Sequence, residues 1–256
     1  MVKSRKELGQ HWLNDPAALK AVVDAGSIEP ADTVLEIGPG TGKLTEKLLQ
    51  AGARVVAVEK DEALVKQLVR KINDRAFYVV TGDILEFDLD KMSPGYKIVA
   101  NIPYYLTSNL IRTISESSNP PARMVLLVQK EVAERLAAKP GQMSLLAVSA
   151  QLYWQVELGR VVPAALFQPP PKVDSQIVIF QRREQPRFKD LDYQKFFQLV
   201  RAGFSERRKM LRSSLAGGLQ IGKTEAEQLL TKADINGTKR AQELSLTDWH
   251  NLYQAF

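Results

Sequence analysis

The sequence predicts an α/β fold: a mostly parallel, doubly wound sheet followed by a small all-α C-terminal domain. Three observations carry this expectation. Short β-rich apolar runs alternate with helix-period segments over the first two-thirds of the 256 residues. The strand pattern stops after Arg182, and the segments beyond it have helical period with turns between them. The expected boundary falls at REQPRF (183–188), giving domains 1–185 and 186–256. A chain of this length can bury one sizeable core and add a smaller unit.

TVLEIG (33–38), RVVAVEK (54–60), AFYVVTGD (76–83), KIVANI (97–102) and RMVLLVQ (123–129) are the short apolar runs that buried parallel strands require. Between them, LTEKLLQAG (44–52), ALVKQLVRKI (63–72) and SNLIRTISE (108–116) repeat apolar residues at three- and four-residue spacing, as crossover helices do. KEVAERLAAK and SLLAVSAQLYW continue as helices. ELGRVV (157–162) and SQIVIFQR (175–182) are then expected to close the sheet as an antiparallel pair. YQKFFQLVRAGF, RRKMLRSSLAGG, EAEQLLTKAD and LTDWHNLYQAF supply the helices of the second domain.

Composition removes several chemistries. The chain has no cysteine and only two histidines, His11 and His250, so disulfides, thiolate nucleophiles and a metal site are not expected. No apolar run approaches the roughly 20 residues of a membrane span, and the basic start MVKSRKELGQHW lacks the apolar stretch of a secretory signal. A cytoplasmic protein without a membrane partner is expected. The net charge of +6 is unevenly placed: residues 181–256 hold 14 Lys and Arg against 9 Asp and Glu, leaving 21 against 20 before them. A solvated basic surface would account for this, but the clustering favours a nucleic-acid partner.

Two glycine-rich stretches compete as nucleotide sites. GGLQIGKT (217–224) satisfies the phosphate-loop pattern at every fixed position, yet it lies among helices and follows no strand. Gly217 and Gly218 suit a helix C-terminus, and Thr224 with Glu227 reads as a capping box for the next helix. EIGPGTGK (36–43) matches neither the phosphate loop nor the dinucleotide fingerprint, but it follows a strand and precedes a helix. Gly38, Gly40 and Gly42 let this turn bend tightly and let a ligand approach its backbone.

Acids at the ends of the next two strands give that turn a meaning. Glu59 stands where a carboxylate can accept from both ribose hydroxyls, and Asp83 can accept from an adenine amine or simply cap the following turn. Lys60 and Ile84, beside these acids, are counted with them as cofactor-binding candidates. Glu36 and the lack of phosphate-directed groups point to S-adenosylmethionine, whose ammonium needs acceptors. KIVANIPYY places Asn101, Ile102, Pro103 and Tyr104 just past the fourth of these strands, beside the same pocket. An adenine amine is a poor nucleophile, and two acceptors on its hydrogens would favour the pyramidal form. The Asn101 amide oxygen and the Ile102 carbonyl are the candidates, with Pro103 fixing the carbonyl direction and Tyr104 stacking on an extruded base.

GQHWLND, EIGPGTG, NIPYY, LLVQKEVAERL, FQPPPKVDS and GFSERRKMLRSSL occur in the order found in the ribosomal RNA adenine dimethyltransferases, and the chain resembles the small-subunit type. The resemblance implies a Rossmann-like class I methyltransferase fold. It also implies transfer of two methyl groups to each of two adjacent adenines near the 3′ end of small-subunit rRNA, within an assembling ribosomal subunit. It carries cofactor contacts to His11, Leu13, Gly38, Glu59, Asp83 and Asn101, although many members have Asn at the position of His11. It makes Phe167 a second wall for the target base. Arg207, Arg208, Lys209 and Arg212, read as lying on or near one helical turn, suit phosphate contacts. A monomer is expected. Three alternatives stay open: a resistance-type enzyme acting on large-subunit rRNA, a DNA adenine methyltransferase, and an RNA-binding assembly factor whose catalysis is dispensable.

Overall fold

The computed structural model describes residues 10–185, 187–189 and 191–256. The amino-terminal stretch read above for a signal therefore lies outside the described residues as far as Gly9, as does Pro186 of the expected linker. Nine strands and ten α-helices are described. The strands are β1 (Trp12–Leu13), β2 (Thr33–Ile37), β3 (Arg54–Glu59), β4 (Phe77–Thr81), β5 (Lys97–Asn101), β6 (Arg123–Gln129), β7 (Trp154–Val162), β8 (Phe167–Gln168) and β9 (Ser175–Arg182). The helices of the first part are α1 (Pro16–Ala25), α2 (Lys43–Gln50), α3 (Glu62–Lys71), α4 (Thr107–Ser115), α5 (Lys130–Leu136) and α6 (Leu145–Tyr153). Those of the last part are α7 (Tyr193–Phe204), α8 (Leu211–Leu219), α9 (Lys223–Lys232) and α10 (Leu246–Ala255).

Seven strands form one sheet in the order β4-β3-β2-β5-β6-β9-β7. β2 through β6 pair in parallel, and β9 inserts antiparallel between β6 and β7, so the expected antiparallel closure forms. Met124–Val128 of β6 are fully buried, which is why this run is continuously apolar and does not alternate. The chain runs outward from β2 through β3 to β4, then crosses back to place β5 on the other side of β2. Such a reversal opens a crevice at the carboxyl ends of the strands. α1 begins at Asp15, whose carboxylate accepts from the Ala18 N–H at 2.7 Å, with proline at the first turn. α3 begins likewise at Asp61.

The chain divides into two compact units. The first comprises residues up to Glu134 together with Trp154–Arg182. The second comprises Arg135–Tyr153 and Arg183–Phe256. The helical unit thus takes α6 as well as the C-terminal helices, whereas the sequence reading assigned all of 1–185 to the first domain. The reason is packing: Ala147, Val148 and Leu152 of α6 share one core with Phe196, Leu199, Leu215, Leu230 and Trp249.

Two local readings in this unit need correction. α8 runs through Gly217 and Gly218 and ends on Gln220 in the left-handed conformation (φ 59°), so neither glycine is the cap. α9 starts one residue before Thr224, with Gly222 as N-cap, so Thr224 is inside the helix and no capping box with Glu227 forms. Glu227 instead pairs with Arg212 at 3.2 Å. Gly218 serves helix packing: a Cβ there would meet Ala202 Cα of α7 at 2.5 Å, while one at Gly217 would meet only Glu206 Oε1 at 3.8 Å.

These two adjacent glycines should respond oppositely to alanine. Gly218→Ala is expected to destabilise the chain by about 1–3 kcal/mol through overpacking, and Gly217→Ala to stabilise it by about 0.5–1 kcal/mol through helix propensity. Urea unfolding followed by far-ultraviolet circular dichroism checks both. Equal effects would remove the close crossing as the reason for Gly218.

Candidate functional site

The carboxyl ends of β2, β3, β4 and β5 converge on one cleft in the first unit. Its walls carry Glu36 near the end of β2 with Gly38 and Gly40 beyond it, Glu59 at the end of β3 with Lys60, Asp83 and Ile84 after β4, and Asn101 at the end of β5 with residues 102–105. His11, Trp12 and Leu13 also line it. Two expected residues do not. Gly42 lies outside the cleft lining, with its left-handed turn (φ 80°) pressed so close to α3 that a Cβ would meet Leu68 Cδ2 at 2.7 Å. Phe167, expected as a wall for the target base, is 4% exposed and packs in the core with Leu13, Leu19 and Ile177. The pairing of β8 with β1, Phe167 opposite Leu13, directs it there.

The glycine loop spends its own amides internally. The Gly38 N–H donates to the Val58 carbonyl (2.9 Å), Gly42 to Pro39 (2.9 Å), and Gly40 to the Glu59 carboxylate (3.1 Å). Lys43, the cation of the loop, donates to Asn14 Oδ1 at 2.8 Å. The three glycine amides are therefore not free for a phosphate, and the carboxylates of Glu36 and Glu59 lie beside them in the cleft. No group of three His, Asp or Glu among the described residues could hold a metal ion, and no helix among them is long and apolar enough to cross a membrane.

The three acids differ in environment. Glu36 is 1% exposed; its Oε2 accepts from the Thr45 hydroxyl at 2.6 Å, while Oε1 has no hydrogen-bond partner. Burial pushes its carboxyl up to about 8, against the opposing Thr45 bond and with help from the neighbouring Glu59. Burial also raises Glu59, although the Asp61 and Gly40 N–H groups hold it by one bond to each oxygen. Asp83 is lowered instead, first by the Leu85 N–H that it caps and then by Lys60, which it pairs with at 2.9 Å. The cap foreseen at Asp83 is therefore present, and the Lys60 ammonium lies on Asp83.

Around Asn101 the geometry is specific. The Asn101 side-chain amide donates from Nδ2 to the His11 carbonyl at 3.0 Å, which leaves Oδ1 as an acceptor. The His11 ring donates from Nδ1 to the Pro169 carbonyl at 2.7 Å and stacks on Tyr104 at 6.0 Å between centroids. The Tyr104 hydroxyl bonds Ser175, a fully buried residue of β9, at 2.8 Å. Sequence reasoning missed Thr45, Ser175 and Trp12, whose ring a Cβ on Gly40 would touch at 3.0 Å. Ser175 lies 71 residues from Tyr104, and no local pattern signals such a contact.

The basic residues fall in the second unit, in an arrangement other than the one expected. Arg207, Arg208 and Lys209 occupy the turn between α7 and α8, and only Arg212 lies on α8, because Met210 takes an extended conformation and delays the helix to Leu211. Lys209 pairs with Glu206 and Arg212 with Glu227. Arg207 and Arg208 are exposed and form no ion pair with a described residue.

Glu36 sets a pH dependence. In the unfolded chain its carboxyl ionises near 4.5, whereas in the fold it holds its proton to about 8. Between these values the folded state binds more protons, so the stability Glu36 contributes is full below about 4.5, falls as pH rises, and levels off above about 8. Glu36→Gln should flatten that slope, changing the difference between variant and wild type by on the order of 4 kcal/mol between these limits. Urea unfolding at pH 5 and pH 8 measures it. Parallel pH profiles for the two proteins would show that Glu36 is ionised throughout.

Comparison with known proteins identifies relatives along nearly the whole chain. The chain is 41% identical over 255 residues to the ribosomal RNA small subunit methyltransferase A of Dehalococcoides mccartyi, covering 98% of this chain and 88% of the relative. It is 40% identical over 257 residues to the protein of that name from Thermosynechococcus vestitus, covering 97% and 95%. Among solved structures, a dimethyladenosine transferase from Plasmodium falciparum superposes with a TM-score of 0.80 at 28% identity, over 94% of this chain and 96% of that one. The 23S rRNA methyltransferase ErmE gives 0.76 at 26% identity, over 95% and 98%. The model of the ribosomal RNA adenine dimethylase family matches residues 1–256, and the chain belongs to that family.

Proposed function

We propose that the chain transfers methyl groups from S-adenosylmethionine to the exocyclic amines of two adjacent adenines near the 3′ end of small-subunit rRNA, two per base. On this reading it acts as a monomer in the cytoplasm, on a late assembling subunit, and the helical residues 186–256 help to dock RNA. The small-subunit substrate is favoured by relatives of that name at 40–41% identity, against 26% to the large-subunit enzyme.

The residues present fit the cofactor. The unpartnered Glu36 Oε1 is a buried acceptor suited to an ammonium group, whose charge would draw the carboxyl into its ionised form. Each Glu59 oxygen accepts one N–H and keeps capacity for a ribose hydroxyl. Asp83 has the same spare capacity for an adenine amine. A side chain built at Gly38 would meet no atom within 4 Å, so the turn leaves open space beside the cleft. The cofactor supplies an electrophilic methyl group on a sulfonium centre.

The single observation that carries the reading is the orientation of Asn101. A carbonyl can be met only by the amide NH2, so the bond to His11 fixes Oδ1 as the atom offered to a substrate amine. An amine hydrogen bonded to Oδ1, with the second on the Ile102 carbonyl, has its lone pair withdrawn from the ring and directed to one side. Tyr104, held by Ser175 and His11, presents a fixed face to the target base. No strong base is needed, because alignment and preorganised acceptors supply the main effect and the surplus proton leaves to water.

Labelled S-adenosylmethionine with unmethylated small subunits, large subunits and duplex DNA tests the proposal. Label is expected on small-subunit adenines, two methyls per base. Asn101→Ala should slow transfer about 100-fold or more while subunit binding persists; undiminished methylation would refute the mechanism. Label confined to large-subunit RNA would overturn the substrate. Arg207→Glu with Arg208→Glu should weaken subunit binding and lower the salt dependence of affinity by about two counterions, read from filter binding across a salt series.

A further inference from the structure

Pro103 starts a short 3-10 turn, Tyr104–Leu106, that places two consecutive tyrosines in opposite circumstances. Side chains one residue apart on such a turn point about 120° apart, so the two rings cannot share a face. Tyr104 is pinned by Ser175 and His11. Tyr105 lines the same cleft yet is 65% exposed, and its hydroxyl has no hydrogen-bond partner among the described residues. Lys60 and Asn109 line the cleft with it.

We propose that Tyr105 is the stacking platform for the nucleobase that flanks the target adenine in the RNA strand. The inference rests on the reading of Tyr104 as the face for the target base. Turning one base into the cleft strips its neighbour of a stacking partner. An exposed aromatic on the cleft wall, one residue from the ring that receives the target, replaces that partner irrespective of base identity, because every base has a π-face. Tyr105 therefore contributes to capture of the strand, and Tyr104 to presentation of the reacting base.

The test uses the full chain, labelled S-adenosylmethionine and unmethylated small ribosomal subunits, with cofactor affinity measured by calorimetry. Tyr105→Ala should raise KM for the subunit about tenfold with kcat and cofactor affinity nearly unchanged, while Tyr105→Phe and Tyr105→Trp stay close to wild type. An unchanged KM in Tyr105→Ala, or an equal loss in Tyr105→Phe, overturns the proposal. So does a matching loss of cofactor affinity, which would place Tyr105 in the cofactor site. Tyr104→Ala in parallel separates the two readings: impaired methylation there with no effect of Tyr105→Ala sinks the platform alone, and no effect of either sinks the assignment of the target base as well.

Discussion

The hydrogen bond from the Asn101 amide to the His11 carbonyl is the contact through which the rest of the site acquires its sense. It exists only because β5 ends at Asn101 on the far side of the strand-order reversal, and because residues 11–14 are held across that end. Besides the β1–β8 pairing and the Lys43 bond to Asn14, they are held by Asn14 N–H to the Leu166 carbonyl, Asn14 Nδ2 to Gln168, and His11 Nδ1 to the Pro169 carbonyl. Segments more than 150 residues apart thus fix which atom of one amide is left as a free acceptor. An Asn at a strand end without this partner would present its NH2 as readily as its oxygen, and a donor there would repel the hydrogens of an amine.

The acids around the cleft divide by how they are paired. Glu36 is buried and raised to about 8, so its charge is held in reserve until a cation arrives, whereas burial raises Glu59 against the N–H groups that its two oxygens accept. Asp83, bonded to a backbone N–H and an exposed lysine, is lowered instead. This asymmetry gives the cleft one end suited to a positive group and another suited to hydrogen-bond donors. A neutral buried carboxyl also avoids the cost of an uncompensated charge before the ligand binds.

Most of the fold was legible because its strands are short apolar runs bounded by glycines and acids, and all seven strands of the main sheet fall where those runs lie. The two-residue pair β1–β8 was not legible, since a pairing of Trp12 with Gln168 leaves no periodicity in either segment. The assignment of α6 to the helical unit was hidden for a related reason: SLLAVSAQLYW shows that the segment is a helix, and only tertiary packing says against what. In the site, residues at strand ends could be read from spacing. Thr45, Ser175 and the burial of Phe167 could not, because each depends on a contact or a face set by a distant strand.

The two glycine-rich stretches show what such spacing can and cannot carry. GGLQIGKT meets a motif in full, but its first two glycines are helical, and one of them exists to let α7 and α8 approach. EIGPGTGK meets no phosphate motif, and its glycine amides are bonded to a carboxylate and two carbonyls. Phosphate recognition requires free N–H groups converging on an anion, so the structure withholds it from both stretches for opposite reasons. The second keeps what a cationic nucleoside needs: a tight turn, an empty space beside Gly38, and two buried acceptors. A turn whose glycine amides are already bonded, beside two buried acids, offers a ligand acceptors where a phosphate loop offers glycine N–H groups.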